Sequence, residues 1–219
     1  MRLRRVASIL AFESVGVSLG GRRVLTGVDL RLDPGETVGV AGPNGSGKTT
    51  LVRTAATLVS VDEGTARVLG GDVRTAELAV VRSGIGLIGH QPALIPELTL
   101  AENLDHVARL TGADRTRVSR ALDVVGLSAA AGRRAVECSF GMQRRVEIAH
   151  LLITRPRLLL LDEAASGLDE SARDLIAALI GSVRDRGGAS ILVSHDRLQL
   201  QAMCDRVLTI AAGRVEPAA

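Results

Sequence analysis

The sequence has almost no aromatic side chains. It contains no tryptophan and no tyrosine, and its two phenylalanines give an aromatic fraction of 1%. Proteins that hold single-stranded nucleic acid usually stack bases on aromatic rings, so the chain lacks the usual platforms for that class of partner. Hydrophobic residues still make up 46% of the chain. A packed core is therefore expected, built from leucine, valine, isoleucine and alanine.

Long hydrophobic runs are also absent. No apolar stretch approaches the roughly 18 residues that span a bilayer, so we expect contact with a membrane only through a partner. The basic segment MRLRR precedes a short apolar stretch, but no cleavage site of small residues follows it. We interpret it as the approach to a strand rather than as a signal peptide.

Cysteine and net charge are both low. Cys138 and Cys204 show neither metal-ligand spacing nor a CxxC pair, which predicts two reduced structural thiols in a cytoplasmic protein. The formal net charge is +3 and the basic residues are scattered, so no nucleic-acid partner is expected. The length of 219 residues predicts a single globular domain.

Hydrophobic periodicity alternates between strand and helix along the chain. Apolar residues alternate with polar ones in AFESVGVSL and TGVDLRLDPGE, and short buried runs follow in ETVGVAG, RPRLLLLDE and ASILVSHD. This order predicts an α/β fold with a mostly parallel sheet and N-terminal antiparallel strands, over about residues 1–95 and 156–219. Helical spacing fills residues 96–155, which predicts an inserted helical lobe.

The chain contains 26 arginines but a single lysine, Lys48. Lys48 lies in GPNGSGKT, residues 42–49, which fits the phosphate-loop pattern G-x-x-x-x-G-K-[ST] between a buried strand and a helix. Glycines let the backbone approach a phosphate closely, and the helix start adds its positive end. A compact ammonium suits such a loop better than a guanidinium does, and the Thr49 hydroxyl can bind Mg²⁺. The pattern predicts a P-loop NTPase core.

Two other buried strands end in acidic or imidazole side chains. Asp162 and Glu163 follow LLLL, and His195 follows SILVS. Open α/β sheets bind ligands at the carboxyl ends of their strands, so these residues are candidates for the same site. Asp162 can hold Mg²⁺. Glu163 can orient or deprotonate the water that attacks the γ-phosphate, while His195 can contact that phosphate and position the water.

The phosphate loop, CSFGMQRR, LLLLDEAASGLDE and SHD follow one another in an order that resembles the nucleotide-binding subunit of ATP-binding cassette (ABC) transporters. The resemblance covers about residues 11–215 and implies an ATPase dimer in which both chains build each ATP site. The implied nucleotide-binding residues of the Walker A loop are Gly42, Pro43, Asn44, Gly45, Ser46, Gly47, Lys48, Thr49 and Thr50. The resemblance also places Ser139 and Gly141 in the signature that caps the opposite nucleotide, and Ser166, Gly167, Leu168 and Asp169 in the D-loop.

The signature segment, Cys138–Met142, departs from the family's LSGGQ. Phe140 and Met142 replace a glycine and a glutamine, while Ser139 and the second glycine remain. With Arg145 in place, the segment resembles export-type cassettes. The alternative is a degenerate signature that hydrolyses ATP weakly.

Two adjacent residues, His90 and Gln91, are candidates for the position of the family's Q-loop glutamine. Spacing favours His90, with Gln91 next to it, as the side chain that approaches Mg²⁺ and water. The segment GHQPALIPELTLAENL resembles the ATPase subunit of the haem exporter of cytochrome c maturation. Leu19 falls where the family has a base-stacking aromatic residue, which predicts weak discrimination between ATP and GTP.

The resemblance implies an ATPase that energises a separate integral membrane permease from the cytoplasmic face of the cell membrane. A homodimer is expected ahead of a mixed dimer, export ahead of import, and haem or a related small molecule is a candidate substrate. The alternative is a soluble ABC-type ATPase that acts on nucleic acid or the ribosome. The 114-residue interval from Lys48 to Asp162 is too short for the coiled coil of DNA-repair relatives. A small-molecule kinase would leave CSFGMQRR unexplained.

Overall fold

Strands and helices alternate along the chain, as the periodicity predicts. The structure, a computed structural model, describes residues 7–75, 78–164 and 168–217. The strands are β1 (Leu10–Leu19), β2 (Arg22–Leu32), β3 (Thr37–Ala41), β4 (Glu63–Val68), β5 (Gly71–Asp72), β6 (Ile85–Ile88), β7 (Leu158–Asp162), β8 (Ala189–Val193), β9 (Arg206–Ala211) and β10 (Arg214–Pro217). The helices are α1 (Lys48–Ala55), α2 (Leu78–Ser83), α3 (Leu100–Thr111), α4 (Arg115–Val124), α5 (Phe140–Thr154), α6 (Glu170–Asp185) and α7 (Arg197–Met203).

A six-stranded sheet in the order β10-β9-β3-β8-β7-β6 forms the centre of the fold. Its neighbouring strands are parallel except for the antiparallel pair β9–β10. Because side chains alternate between the faces of a strand, the LLLL run serves two cores. Leu159 and Leu161 face the core that contains α3–α6, while Leu158 and Leu160 face the core that contains α1 and the N-terminal strands.

A second sheet of four strands lies at the N-terminal side, in the order β2-β1-β4-β5. All its pairs are antiparallel. The predicted fold class, with a mostly parallel sheet and N-terminal antiparallel strands, is confirmed. The sequence patterns did not reveal β4, β5 or β6, which are short and only partly buried.

Helices α3, α4 and α5 pack on one another and follow β6 along the chain. They form the connection between β6 and β7, which pair in parallel in the sheet. Local signals fix the helix ends. Thr99 and Glu102 form a capping box at the start of α3, Asp114 caps α4, and Gly112 ends α3 in a left-handed conformation.

Both cysteines are free thiols. Burial raises the pKa of the Cys204 thiol to about 12, which keeps it protonated and unreactive near neutral pH. None of the helices that the structure describes has both the length and the apolar character needed to cross a bilayer.

Candidate nucleotide-binding site

The phosphate loop connects β3 to α1 and is built on glycines. Gly42 has φ +154°, and a Cβ atom there would lie 2.2 Å from the carbonyl oxygen of Ile210. Gly47 precedes α1 with φ +110°, and its Cβ would lie 3.0 Å from a methyl group of Leu25. A side chain at Gly42 would collide with the β9 backbone, and a side chain at Gly47 would be crowded and would strain the backbone at its positive φ, so both positions favour glycine.

Lys48 is buried, with 7% of its surface exposed. Its ammonium Nζ donates to the carbonyl oxygens of Gly42 and Pro43, at 2.8 and 3.0 Å. An ammonium has three donors, so one remains for a ligand. The Ser46 hydroxyl is also buried and has no hydrogen-bond partner in the described parts of the chain. Both groups fit an anion held in the loop.

The two predicted acidic residues, Asp162 and Glu163, line a cavity of about 320 Å³ together with the phosphate loop. Its lining residues are Val24, Asn44, Gly45, Gly47, Lys48, Thr49, Thr50, Asp162 and Glu163. A hydroxyl and a carboxylate on facing elements fit Mg²⁺, which usually keeps several waters and takes its remaining ligands from phosphates. No cluster of three or more metal-binding side chains occurs in the described ranges. The Thr49 hydroxyl and the Asp162 carboxylate would leave the other coordination positions of Mg²⁺ to water and nucleotide phosphates.

Glu163 and His195 form a pair beside this cavity. The Nδ1 atom of His195 lies 3.0 Å from Oε2 of Glu163, with 21% of the glutamate side chain exposed. The Glu163 backbone has φ +55° and donates its N–H to Val193 in β8. A non-glycine residue in this left-handed region is strained, and such strain concentrates at functional sites. The ends of strands β7 and β8 therefore hold the Glu163 carboxylate in one orientation.

The signature segment begins α5. The Ser139 side chain accepts the N–H of Met142 at 3.3 Å and caps the helix. A Cβ atom at Gly141 would meet no heavy atom within 4 Å, so the space beside the helix start is open. The Phe140 ring lies 5.2 Å from the guanidinium carbon of Arg144 in the same helix.

The structure does not bring His90 or Gln91 into the cavity around Lys48. Both side chains are exposed, and neither lines the cavity. Their loop is instead held by α5, through hydrogen bonds from Arg144 to the His90 carbonyl and from the Ala93 N–H to Glu147. Of the predicted D-loop residues, Ser166 and Gly167 lie outside the described residues. Asp169 caps α6 and accepts hydrogen bonds from Arg145.

Two features of the site did not follow from the sequence patterns. Val24, in β2, lines the cavity, whereas Leu19 does not. Arg144 and Glu147 form a buried ion pair, and burial is the main cause that raises the pKa of Glu147 and lowers that of Arg144. The sequence signal for this pair was Glu147, a charged residue between the apolar residues of VEIA.

The chain matches the ABC transporter family over residues 25–166, and it belongs to that family. An Fe(3+) ions import ATP-binding protein of Streptomyces avermitilis is 39% identical, and the match covers 94% of this chain and 61% of that protein. A cytochrome c biogenesis ATP-binding export protein of Cupriavidus necator is 38% identical, with 85% and 83% covered. The chain thus spans about three fifths of the iron-import relative. Its relatives include import and export proteins.

The structural comparison agrees with this assignment. A dimeric ATP-binding cassette in a post-hydrolysis state, bound to ADP and Pi, superposes with a TM-score of 0.85 and 26% identity, and the match covers 94% of this chain and 96% of that one. An ATP-binding subunit of an ABC transporter gives a TM-score of 0.87 and 25% identity, covering 94% and 88%. The predicted resemblance to an ABC nucleotide-binding subunit is confirmed.

Proposed function

We propose that this chain is the ATP-hydrolysing subunit of an ABC transporter and energises a separate integral membrane permease. The observation that carries the proposal is the convergence of the phosphate loop, Asp162 and Glu163 on one cavity, in a chain of the ABC transporter family. We expect residues 1–219 to act as a single domain, with the α/β part binding ATP and the helical part facing a second subunit.

The phosphate loop is the proposed binding site for the β- and γ-phosphates. The free donor of Lys48 and the backbone N–H groups at the start of α1 would face them. Thr49 and Asp162 would hold Mg²⁺, directly or through water, and the ion when bound neutralises charge on the phosphates. The apolar Val24 and Leu19 offer no aromatic surface to the base.

Glu163 is the proposed base for hydrolysis. Its carboxylate would take a proton from the water that attacks the γ-phosphorus, while the bond from that phosphorus to the β–γ bridging oxygen breaks and ADP leaves. The hydrogen bond from His195 keeps the carboxylate turned toward the cavity. His195 is also exposed enough to contact the γ-phosphate.

A second copy of the chain would complete each site. The open start of α5, with the Ser139 hydroxyl and Gly141, suits the γ-phosphate of the nucleotide held by the opposite chain. Phe140 turns toward Arg144 of its own helix, which leaves that space free and favours an active signature over a degenerate one. We propose a homodimer.

The permease is proposed to dock on the loop and helix start over residues 90–104. Ile95 in this loop is apolar and 42% exposed. This placement puts the chain on the cytoplasmic face of a membrane through its partner. A cytochrome c biogenesis ATP-binding export protein and a Nod factor export ATP-binding protein among the relatives support export, with haem or a related small molecule as the candidate substrate. No observation favours an action on nucleic acid or the ribosome.

The experiment is a pull-down of the tagged chain from its own membranes in mild detergent, followed by mass spectrometry. We expect a multi-span membrane protein with the wild-type chain and its loss with Ile95→Asp. Leu198→Asp is the matched control, because Leu198 is 77% exposed in α7, outside the proposed docking loop, and should retain the partner. Recovery of ribosomal proteins or nucleic acid without a membrane protein would overturn the proposal.

A further inference from the structure

One arginine in helix α5 contacts two residues of its own helix and a loop distant in sequence. The Arg144 side chain is 1% exposed. One terminal nitrogen lies 2.6 Å from Oε2 of Glu147, and the other donates to the backbone carbonyl of His90 at 3.0 Å. The guanidinium carbon lies 5.2 Å from the ring centre of Phe140. We call these contacts of Arg144 with Phe140, Glu147 and His90 the Arg144 bridge.

Glu147 holds the same loop at a second point. Its Oε1 accepts the backbone N–H of Ala93 at 2.9 Å, while Oε2 binds Arg144. The buried ion pair therefore fixes both ends of loop 90–93 to α5, although 54 residues separate the loop from the pair. Charge-assisted hydrogen bonds of this kind are short and directional, so a shift of the helix start would be passed to the loop.

The loop lies beside the candidate site of its own chain. It follows β6, whose last residue Ile88 pairs with Leu161, immediately before Asp162 in β7. The other end of the Arg144 bridge is Phe140, which is 41% exposed at the signature. A contact made at the signature surface would therefore bear on Arg144, and through Arg144 on the loop next to Asp162.

We propose that Arg144 is a positioning residue that couples the signature segment to loop 90–93. This inference rests on the proposed function. In the dimer, the signature of a chain contacts the nucleotide of the opposite site, while loop 90–93 of that chain lies beside its own site. Within each chain, the Arg144 bridge thus connects the signature, which contacts the nucleotide of the opposite site, to the loop beside the chain's own site. ATP binding at one site would thereby favour ATP binding at the other.

Stability alone does not require this buried pair. Replacing a buried ion pair with uncharged side chains of similar size is often neutral or stabilising. The Nε atom of Arg144 is buried without a hydrogen-bond partner in the described parts of the chain, so the pair is not a fully satisfied network. The rest of the loop is held independently, since Asn103 binds the backbone of Ile95, Leu98 and Thr99.

The test is the double variant Arg144→Met with Glu147→Gln. The glutamine oxygen can still accept the Ala93 N–H, and no charge is left buried alone. ATP hydrolysis is measured against ATP concentration for the full chain, with thermal unfolding alongside. We expect a Hill coefficient between about 1.5 and 2 in the wild type and about 1 in the variant, with half-saturation about fivefold higher.

Asn103→Asp is the matched control. It loosens the adjoining segment 95–99 from α3 and should lower stability while keeping the wild-type Hill coefficient. A double variant that keeps the wild-type coefficient, or a wild type with a coefficient of 1, would overturn the coupling. A wild-type chain that binds and hydrolyses no ATP would count against the proposed function instead, so the two failures are distinguishable.

Discussion

The phosphate loop and the signature segment are held in place by different means. The phosphate loop is held by contacts within itself, since the Lys48 side chain binds carbonyls five and six residues away and glycines allow the tight path. The signature helix is held through its own side chains Arg144 and Glu147, which bind the backbone of a loop 54 residues away. The first arrangement is local. The second can transmit a displacement between separate parts of the chain.

The largest effect is expected from breaking the buried pair on one side only. Glu147→Ala leaves the Arg144 charge buried without its partner and should lower the free energy of unfolding by about 3–5 kcal/mol. The Arg144→Met and Glu147→Gln double variant should stay within about 1.5 kcal/mol of wild type. Denaturant unfolding measures both. Equal losses of unfolding free energy in the two variants would show that the unpaired charge of Arg144 is not what destabilises the single variant.

Breaking the phosphate loop should act on binding and leave folding intact. Lys48→Ala removes the ammonium that would face the phosphates, and we expect nucleotide affinity to fall by at least about 100-fold. Arg53→Ala is the matched control, because it removes one positive charge from the exposed side of the same helix. Fluorescent-nucleotide titration provides the measurement. Wild-type affinity in the lysine variant would remove the proposed role of Lys48.

A methyl group added to a glycine compares the two segments directly. Gly42→Ala should lower the free energy of unfolding by about 2–3 kcal/mol, because the new Cβ meets the Ile210 carbonyl. Gly141→Ala should change it by less than about 1 kcal/mol, because the space there is open. It should nevertheless slow ATP hydrolysis, since the methyl group lies where the opposite nucleotide would approach. Thermal unfolding and phosphate release test the pair.

The smallest effect concerns the choice of base. The cavity has the aliphatic Val24 in its wall, and Leu19 is aliphatic as well, so neither residue offers a ring that would favour adenine. We expect kcat/KM for ATP and GTP to agree within about threefold, which corresponds to about 0.6 kcal/mol. A preference for ATP greater than about tenfold in competition assays would contradict this prediction.

The contrast between local and long-range contacts also explains what could be predicted from the sequence. The phosphate loop, Asp162 and Glu163 are local patterns at strand ends, and parallel strands bring such ends to one edge of the sheet. The fold class could be predicted as well, because period-2 and helical spacing are also local sequence patterns. The strands β4, β5 and β6 escaped because they are short and partly buried.

Features that depend on tertiary contacts could not be predicted in this way. The position of Arg144 beneath Phe140 and against His90 depends on how α5 packs on the loop after β6. Nothing in local spacing reports that contact. Val24 is a similar case, because β2 reaches the cavity only through the packing of the two sheets around α1.

The most direct test of the account is the assembly state of Glu163→Gln with ATP and Mg²⁺, measured by light scattering. If the phosphate loop of one chain and the signature of another share each nucleotide, the variant should bind ATP without hydrolysing it and accumulate as a stable dimer. The wild-type chain should return to monomer as ATP is consumed. A variant that binds ATP and remains monomeric would contradict the composite site.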